Sequence, residues 1–293
     1  MKTLIGLMLA AGLILATAQN TRAADNKIKV VAAENFYGDI AQKIGGDLIE
    51  VASVMSNPNQ DPHLFETTPS VVRQIADAQI VIYNGADYDG WMEKLLNATP
   101  RAERTVIIVA NLVGKKAGDN PHLWYDPLTM PAAAKAMAAA FTKADGAHAS
   151  DYAGRLAATL AAFERINKRV EQIRAKHSGE TVTATEPVFG YMAAALKLKM
   201  RNERFQLAMM NDTEPSARDI AAFENDLKQH KVKVLLYNKQ VTGNMTERLL
   251  KAAGNAKVPV VGITETQPAG MAIEDWMLGE LNDLDKALSG PSR

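Results

Sequence analysis

The sequence has 293 residues and 31.7 kDa, with 33 basic and 33 acidic side chains and no cysteine. A neutral balance lacks the basic stripe that nucleic-acid binding requires. With no thiol there are no disulfides, thiolate metal sites, cysteine nucleophile or lipid-modified cysteine, so histidine, carboxylates and oxygen groups must carry any chemistry.

Residues 1–23 read as a signal peptide. Lys2 precedes an apolar run over 4–16, which is too short for a spanning helix of about 20 residues. Thr21-Arg22-Ala23 puts small residues at −3 and −1, so cleavage is expected near Ala23. Removal takes Lys2 and Arg22 away and leaves the mature chain two basic residues short of its 33 acidic ones. A periplasmic location follows.

The first lobe, 24–148, alternates strands with helices. Strands are predicted over 28–33, 49–54, 80–83 and 106–109. A helical stretch ends at Gly45-Gly46, and further helices are predicted over 69–78 and 89–96. The second lobe, 179–293, repeats the plan. Its predicted strands are 181–184, 205–208, 232–237 and 258–262, separated by helices over 189–196, 216–229 and 245–253. Strands alternating with helices imply parallel sheets, and near-continuous apolar strands imply sheets covered on both faces. The fold class is therefore α/β, with two lobes, each a mostly parallel four-stranded sheet flanked by helices.

Between the lobes, 149–178 forms a linking spine. Tyr152, Leu156, Leu160, Phe163, Ile166, Val170 and Ile173 make one apolar stripe at helical spacing. Over 151–177 that helix would run roughly 40 Å at about 1.5 Å per residue. A rigid helix of this length leaves the cleft between the lobes as the default ligand site.

Five histidines divide into two groups. His148 and His177 lie at the ends of the spine and His230 lies in a basic turn, so all three read as surface residues. The other two share a setting: Asp61-Pro62-His63-Leu64-Phe65 and Asn120-Pro121-His122-Leu123-Trp124. Proline fixes the backbone before each imidazole, which suits a ligand that must be held to within about 1 Å. Both follow strands, at the carboxyl edge where open α/β sheets bind ligands. Glu186 and Glu265 follow second-lobe strands at the same edge. Each carboxylate alone could serve a helix N-terminus, and each histidine alone could be an ordinary turn residue. Together, two imidazoles from one lobe face two carboxylates from the other, a donor set suited to Mn, Fe or Zn. Glu34 is a further carboxylate near that edge, read as structural.

These motifs resemble the metal-binding solute receptors of bacterial zinc/manganese ABC importers, over essentially the whole mature chain. The resemblance is carried by Asp61-Pro62-His63 with Glu66 and Pro69-Ser70, by Ala76-Asp77-Ala78 leading to Tyr83-Asn84-Gly85, and by Trp91-Met92. It continues through Pro121-His122-Leu123-Trp124-Tyr125-Asp126-Pro127, Glu186 with Phe189 and Tyr191, and Glu214-Pro215-Ser216. It implies a metal buried between two lobes, held by four ligands that map to His63, His122, Glu186 and Glu265. It also implies a monomeric receptor delivering its ion to an ABC permease in the inner membrane. The family's zinc members usually carry His at the third position and manganese members often Glu, as here. The fourth position is usually Asp, so Glu265 is one methylene longer. The stretch 111–119 lacks the His-rich loop of many zinc members. Two carboxylates neutralise a divalent ion and can be bidentate, which favours Mn(II), whereas the affinity order favours Zn(II); Fe(II) stands third.

The chain reads as no enzyme. An exported zinc-dependent hydrolase would need a general base, for which Glu34 or Glu66 would be candidates. The His-Glu-x-x-His, Gly-x-Ser-x-Gly and phosphate-loop patterns are all missing from the sequence. An exported adhesin or structural protein is the third class, told apart by indifference to chelator.

Overall fold

The computed structural model describes residues 27–57, 65–241 and 243–290. The expected signal peptide and Asp61, Pro62, His63 and Leu64 of the first Pro-His turn lie outside these residues.

Strands β1 (Ile28–Glu34), β2 (Ile49–Met55), β3 (Ile80–Tyr83) and β4 (Thr105–Ile108) form one parallel sheet in the order β2-β1-β3-β4. Strands β5 (Thr181–Ala184), β6 (Lys199–Arg201), β7 (Leu235–Asn238) and β8 (Val260–Ile263) form a second in the order β6-β5-β7-β8. In each sheet the strand order reverses beside its first strand, so crevices open at the carboxyl ends of β1/β3 and β5/β7.

Helices α1 (Asn35–Gly45), α2 (Pro69–Asp77), α3 (Gly90–Ala98), α4 (Val109–Leu112) and α5 (Thr129–Ala144) complete the first lobe. Gly46 ends α1 at φ 56°, a conformation glycine adopts without a Cβ penalty. In α2, Pro69 occupies the first turn behind the capping Thr68.

The spine is α6 (Ala149–His177), a 29-residue helix about 44 Å long at about 1.5 Å per residue. Tyr152, Phe163, Ile166, Val170 and Ile173 are buried, and Leu156 and Leu160 pack against the same core. That core runs without a break from the first lobe through α6 into the second.

The second lobe adds α7 (Gly190–Ala195), α8 (Glu203–Met210), α9 (Ala217–Lys228), α10 (Asn244–Asn255) and α11 (Ile273–Leu288). Two expectations need correction. The segment 205–208 is the middle of α8, where Phe205 and Gln206 turn inward, and the sheet takes Lys199–Arg201 as its edge strand instead. His177 is no surface residue: α11 closes over the end of α6, and His177 Nε2 lies 2.9 Å from Asp285 Oδ1. Arg169 and Lys176 converge on the same Asp285 carboxylate, and against the effect of burial Arg169, His177 and Lys176 together hold its pKa down to about 2.

Aromatic rings join the lobes. Trp124 packs on Phe36, Tyr125 on Phe189, and both Phe36 and Tyr125 lie 5.9 Å from Trp276. A junction of buried rings resists hinge motion more than a polar one. No helix among the described residues is long and apolar enough to cross a membrane.

Candidate metal centre

Two of the four expected ligands, His122 and Glu265, lie against each other between the lobes, and Glu186 is linked to Glu265 through Asn238. No three His, Asp or Glu side chains among the described residues are grouped closely enough to hold a metal ion as they stand. His122 and Glu265 are fully buried and Glu186 is 4% exposed. His122 Nε2 lies 3.4 Å from Glu265 Oε2.

The tautomer of His122 is fixed from behind. Asn120 donates its amide Nδ2–H to the Pro187 carbonyl at 2.7 Å, so its Oδ1 faces the imidazole. That oxygen can only accept, and it lies 2.7 Å from Nδ1 and 3.1 Å from the His122 backbone N. Nδ1 therefore carries the proton in the neutral ring. Nε2 presents a bare lone pair, buried and without a hydrogen-bond partner among the described residues. A buried imidazole nitrogen left unpaired and aimed at a carboxylate has the form of a metal ligand whose tautomer an outer partner sets. The partner's placement is itself tight. Tyr191 donates to the Asn120 carbonyl at 2.8 Å, and a Cβ on Gly190 would come within 2.9 Å of Asn120 Nδ2.

The carboxylates share one amide. Asn238, at the end of β7, donates Nδ2 to Glu186 Oε2 at 2.7 Å and to Glu265 Oε1 at 2.5 Å. Its own Oδ1 accepts from Gln240 N, and Gln240 Oε1 receives the backbone N–H groups of Glu265 and Thr266. Asn238 and Gln240 were not expected from the sequence. The available signal was Asn238's place at the carboxyl end of a central parallel strand, beside the crevice.

The first lobe reaches Glu265 through Tyr88, whose hydroxyl donates to Oε2 at 3.0 Å. Tyr88 follows Gly85, Ala86 and Asp87, all at positive φ. Asp89 holds this turn by accepting from Asn84 N at 2.6 Å and Gly85 N at 2.8 Å. Asn84 then donates to the Pro121 carbonyl at 2.8 Å, tying the turn to the His122 loop. Gly85 must remain glycine, since a Cβ there would meet Ile108 at 2.8 Å.

Glu34 ends β1, buried beneath this turn. Burial, and then the neighbouring Asp89, push its carboxyl well above the ordinary range, while burial raises Asp89 to about 6. Glu66, the other candidate base, is exposed. His230 is exposed and lines a cavity of about 1140 Å³ with Lys228 and Lys257, a cavity whose lining includes none of the expected ligands.

Among the described residues, an amide and a phenol donate to these two buried carboxylates, and such neutral donors do not themselves cancel a carboxylate's charge. Burying such a pair is costly without a cation, and a divalent ion supplies the charge that the amide and phenol lack.

Comparison with known proteins identifies the family and the fold. A family model described as ZnuA, the periplasmic zinc-uptake complex component A, matches residues 30–287. The chain belongs to this family. Membership makes it a metal-binding solute-binding protein of ABC-type metal transport. The metal ABC transporter substrate-binding lipoprotein SloC of Streptococcus mutans is 23% identical over 96% of this chain and 95% of its own. The manganese-binding lipoprotein MntA of Bacillus subtilis is 21% identical, covering 79% of this chain and 78% of its own. The crystal structure of the periplasmic zinc binding protein TroA of Treponema pallidum superposes with a TM-score of 0.76 at 19% identity, over 89% of this chain and 99% of that one. That likeness establishes the two-lobed fold.

Asn120→Ala gives the first test of the site. Loss of an outer partner of this kind costs roughly 10–100-fold in metal affinity. The circular dichroism spectrum should stay unchanged while Zn(II) affinity, measured by competition with a chromophoric chelator, falls in that range. An unchanged affinity would show that Asn120 does not set the imidazole.

Proposed function

We propose that the mature protein captures Mn(II) or Zn(II) in the cleft between its lobes, through His63, His122, Glu186 and Glu265, and delivers the ion to an ABC permease of the inner membrane. On this reading the signal peptide, 1–23, is removed in the periplasm, and lobes 24–148 and 179–293 flank a spine at 149–178. The receptor works as a monomer and turns nothing over. The observation that carries the proposal is the bare His122 Nε2, 3.4 Å from a carboxylate that shares one amide with a second carboxylate.

Metal choice follows from charge and hardness. Two carboxylates neutralise a divalent ion and can raise its coordination number, which suits Mn(II), whereas Zn(II) binds more tightly to almost any such donor set. Zn(II) should therefore bind in vitro whichever ion is transported. Ligands must be deprotonated to bind, so affinity falls as pH drops through the imidazole range.

The experiment is metal-dependent melting of the chelator-stripped mature protein with Mn(II), Zn(II), Fe(II) or Mg(II). Binding at about 100-fold excess over Kd adds roughly 2.7 kcal/mol. Large shifts with Mn(II) and Zn(II) but none with Mg(II) are expected. No shift with any transition metal would refute the reading.

A further inference from the structure

We infer that Glu280 is a positioning residue for the metal site: it stands as a neutral carboxylic acid whose proton completes a lobe-to-lobe hydrogen-bond chain through Tyr125 and Thr264, and so sets His122 against Glu265.

The inference rests on counting protons. Tyr125 has one hydroxyl proton, but its oxygen lies 2.7 Å from the Thr264 carbonyl and 2.6 Å from Glu280 Oε2. A carbonyl only accepts, so the hydroxyl proton can satisfy one contact and leaves the other as two lone pairs at hydrogen-bond distance. The missing proton belongs to Glu280. As an acid, Glu280 donates through Oε2 to the Tyr125 oxygen, and Tyr125 donates to Thr264. Glu280 Oε1 remains free to accept, as it does from Thr264 N at 3.0 Å and Trp276 Nε1 at 3.0 Å. Every polar atom in the chain is then satisfied.

The surroundings agree. Glu280 is 8% exposed, and no ion pair engages it among the described residues. The charged groups on the neighbouring elements are directed elsewhere. Arg169, Lys176 and His177 of α6 take Asp285. On α1, Lys43 takes Glu274 and Asp39 accepts from Ile273 N. On the β8 side the neighbouring charge is Glu265, whose field is felt by Tyr125. Burial without a cation raises Glu280 from the ordinary 4.5 to about 7, and it raises the Tyr125 phenol as well, so both hold their protons together.

The chain ends at the ligands. Tyr125 closes the short helical turn that begins just after His122, and Thr264 immediately precedes Glu265. What fixes Tyr125 to Thr264 therefore fixes the gap between imidazole and carboxylate. This last step rests on the receptor reading; the protonation state of Glu280 does not.

The test compares wild type, Glu280→Gln and Glu280→Ala. Glutamine mimics the acid: its amide nitrogen donates to Tyr125 and its oxygen accepts from Thr264 and Trp276. A pKa raised in the folded state stabilises fully below the unfolded value, and the benefit is lost as pH rises to the folded one. In metal-free melts, wild type should therefore match Glu280→Gln near pH 5 and fall below it at pH 8. The ratio of their folding constants should drop by roughly a hundredfold across a window set by 4.5 and about 7. Zn(II) affinity of wild type relative to Glu280→Gln should fall over the same window, since the imidazole effect is common to both. Glu280→Ala should be less stable than Glu280→Gln at every pH. A constant deficit for Glu280→Gln at pH 5 and pH 8 would mean that Glu280 is an ionised acceptor, and would overturn the inference. A pH-independent Zn(II) ratio would overturn the positioning role. If wild type binds no Zn(II), the receptor reading and the positioning role fail together, while the melts still decide the proton.

Discussion

His122→Ala should cost more than about 3 kcal/mol of Zn(II) or Mn(II) binding, and His230→Asn should cost nothing measurable. Losing an outer partner of a ligand costs up to roughly 100-fold, and losing the ligand itself must cost more, which places the effect above that figure. His122 is also a packing residue, edge-on to Trp124 at 5.3 Å and to Tyr88 at 6.0 Å. Its removal therefore lowers metal-free stability as well. The two effects separate cleanly: the melting temperature of the stripped variant reports packing, and the further shift on adding metal reports ligation. Asparagine is the right control at position 230 because His230 sits at φ 51°, which asparagine tolerates and alanine does not. Equal losses of metal binding in the two variants would refute the ligand assignment.

The sequence makes some of this visible and hides the rest for identifiable reasons. A strand such as Ile80–Tyr83 stands out because both of its faces are covered, so apolar residues run together. The edge strand Lys199–Arg201 has three residues, two of them charged and exposed, and carries no such signal. Phe205 and Leu207 supply a false alternation just beyond it, whereas their true setting is a helix with Leu207 facing solvent. Helix α5 escapes notice because its alanines blur the contrast between faces. Helix α11 falls outside the predicted elements even though Ile273, Trp276, Met277, Leu281, Leu284 and Leu288 recur at helical spacing.

For the site, residue type and strand edge single out His122, Glu186 and Glu265. What they do not reveal is the layer behind them. Asn120 stands in the Pro-His motif, but its role appears only when Pro187, 67 positions away, takes its other amide atom. Asn238 bridges two carboxylates that lie 52 and 27 positions from it. Glu280 depends on Tyr125, 155 positions distant. Likewise, His177 looks like a helix end in solvent until α11 returns to cover it. Such pairings are products of the fold and leave no local pattern.

Glu265→Gln should act with opposite signs on the empty and the loaded protein. One Glu186 oxygen and one Glu265 oxygen lie within 2.7 and 2.5 Å of the same Asn238 nitrogen, so about 5 Å at most separates them. Like charges at about 5 Å repel by about 3 kcal/mol at an effective dielectric of about 20, a cost the metal-free protein bears. Glutamine removes the charge and keeps the shape. Its oxygen accepts from Asn238, and its amide nitrogen, in the place of Oε2, faces His122 Nε2, now 3.4 Å away, while the Tyr88 hydroxyl that donated to Oε2 must turn to accept from it. The empty variant should therefore gain about 1–2 kcal/mol, a rise of roughly 2–4 °C in melting temperature for a chain of this size. The loaded form loses an anionic ligand, and the imidazole lone pair is already engaged. The metal-induced shift should shrink by at least about 3 kcal/mol, beyond the roughly 100-fold loss expected of an outer partner. A variant that melts lower when empty would show that Glu265 is held for packing or for the Tyr88 contact. One that keeps the full metal shift would remove Glu265 from the ligand set. Only a carboxylate whose charge is a burden until a cation arrives gives a gain in one state and a loss in the other.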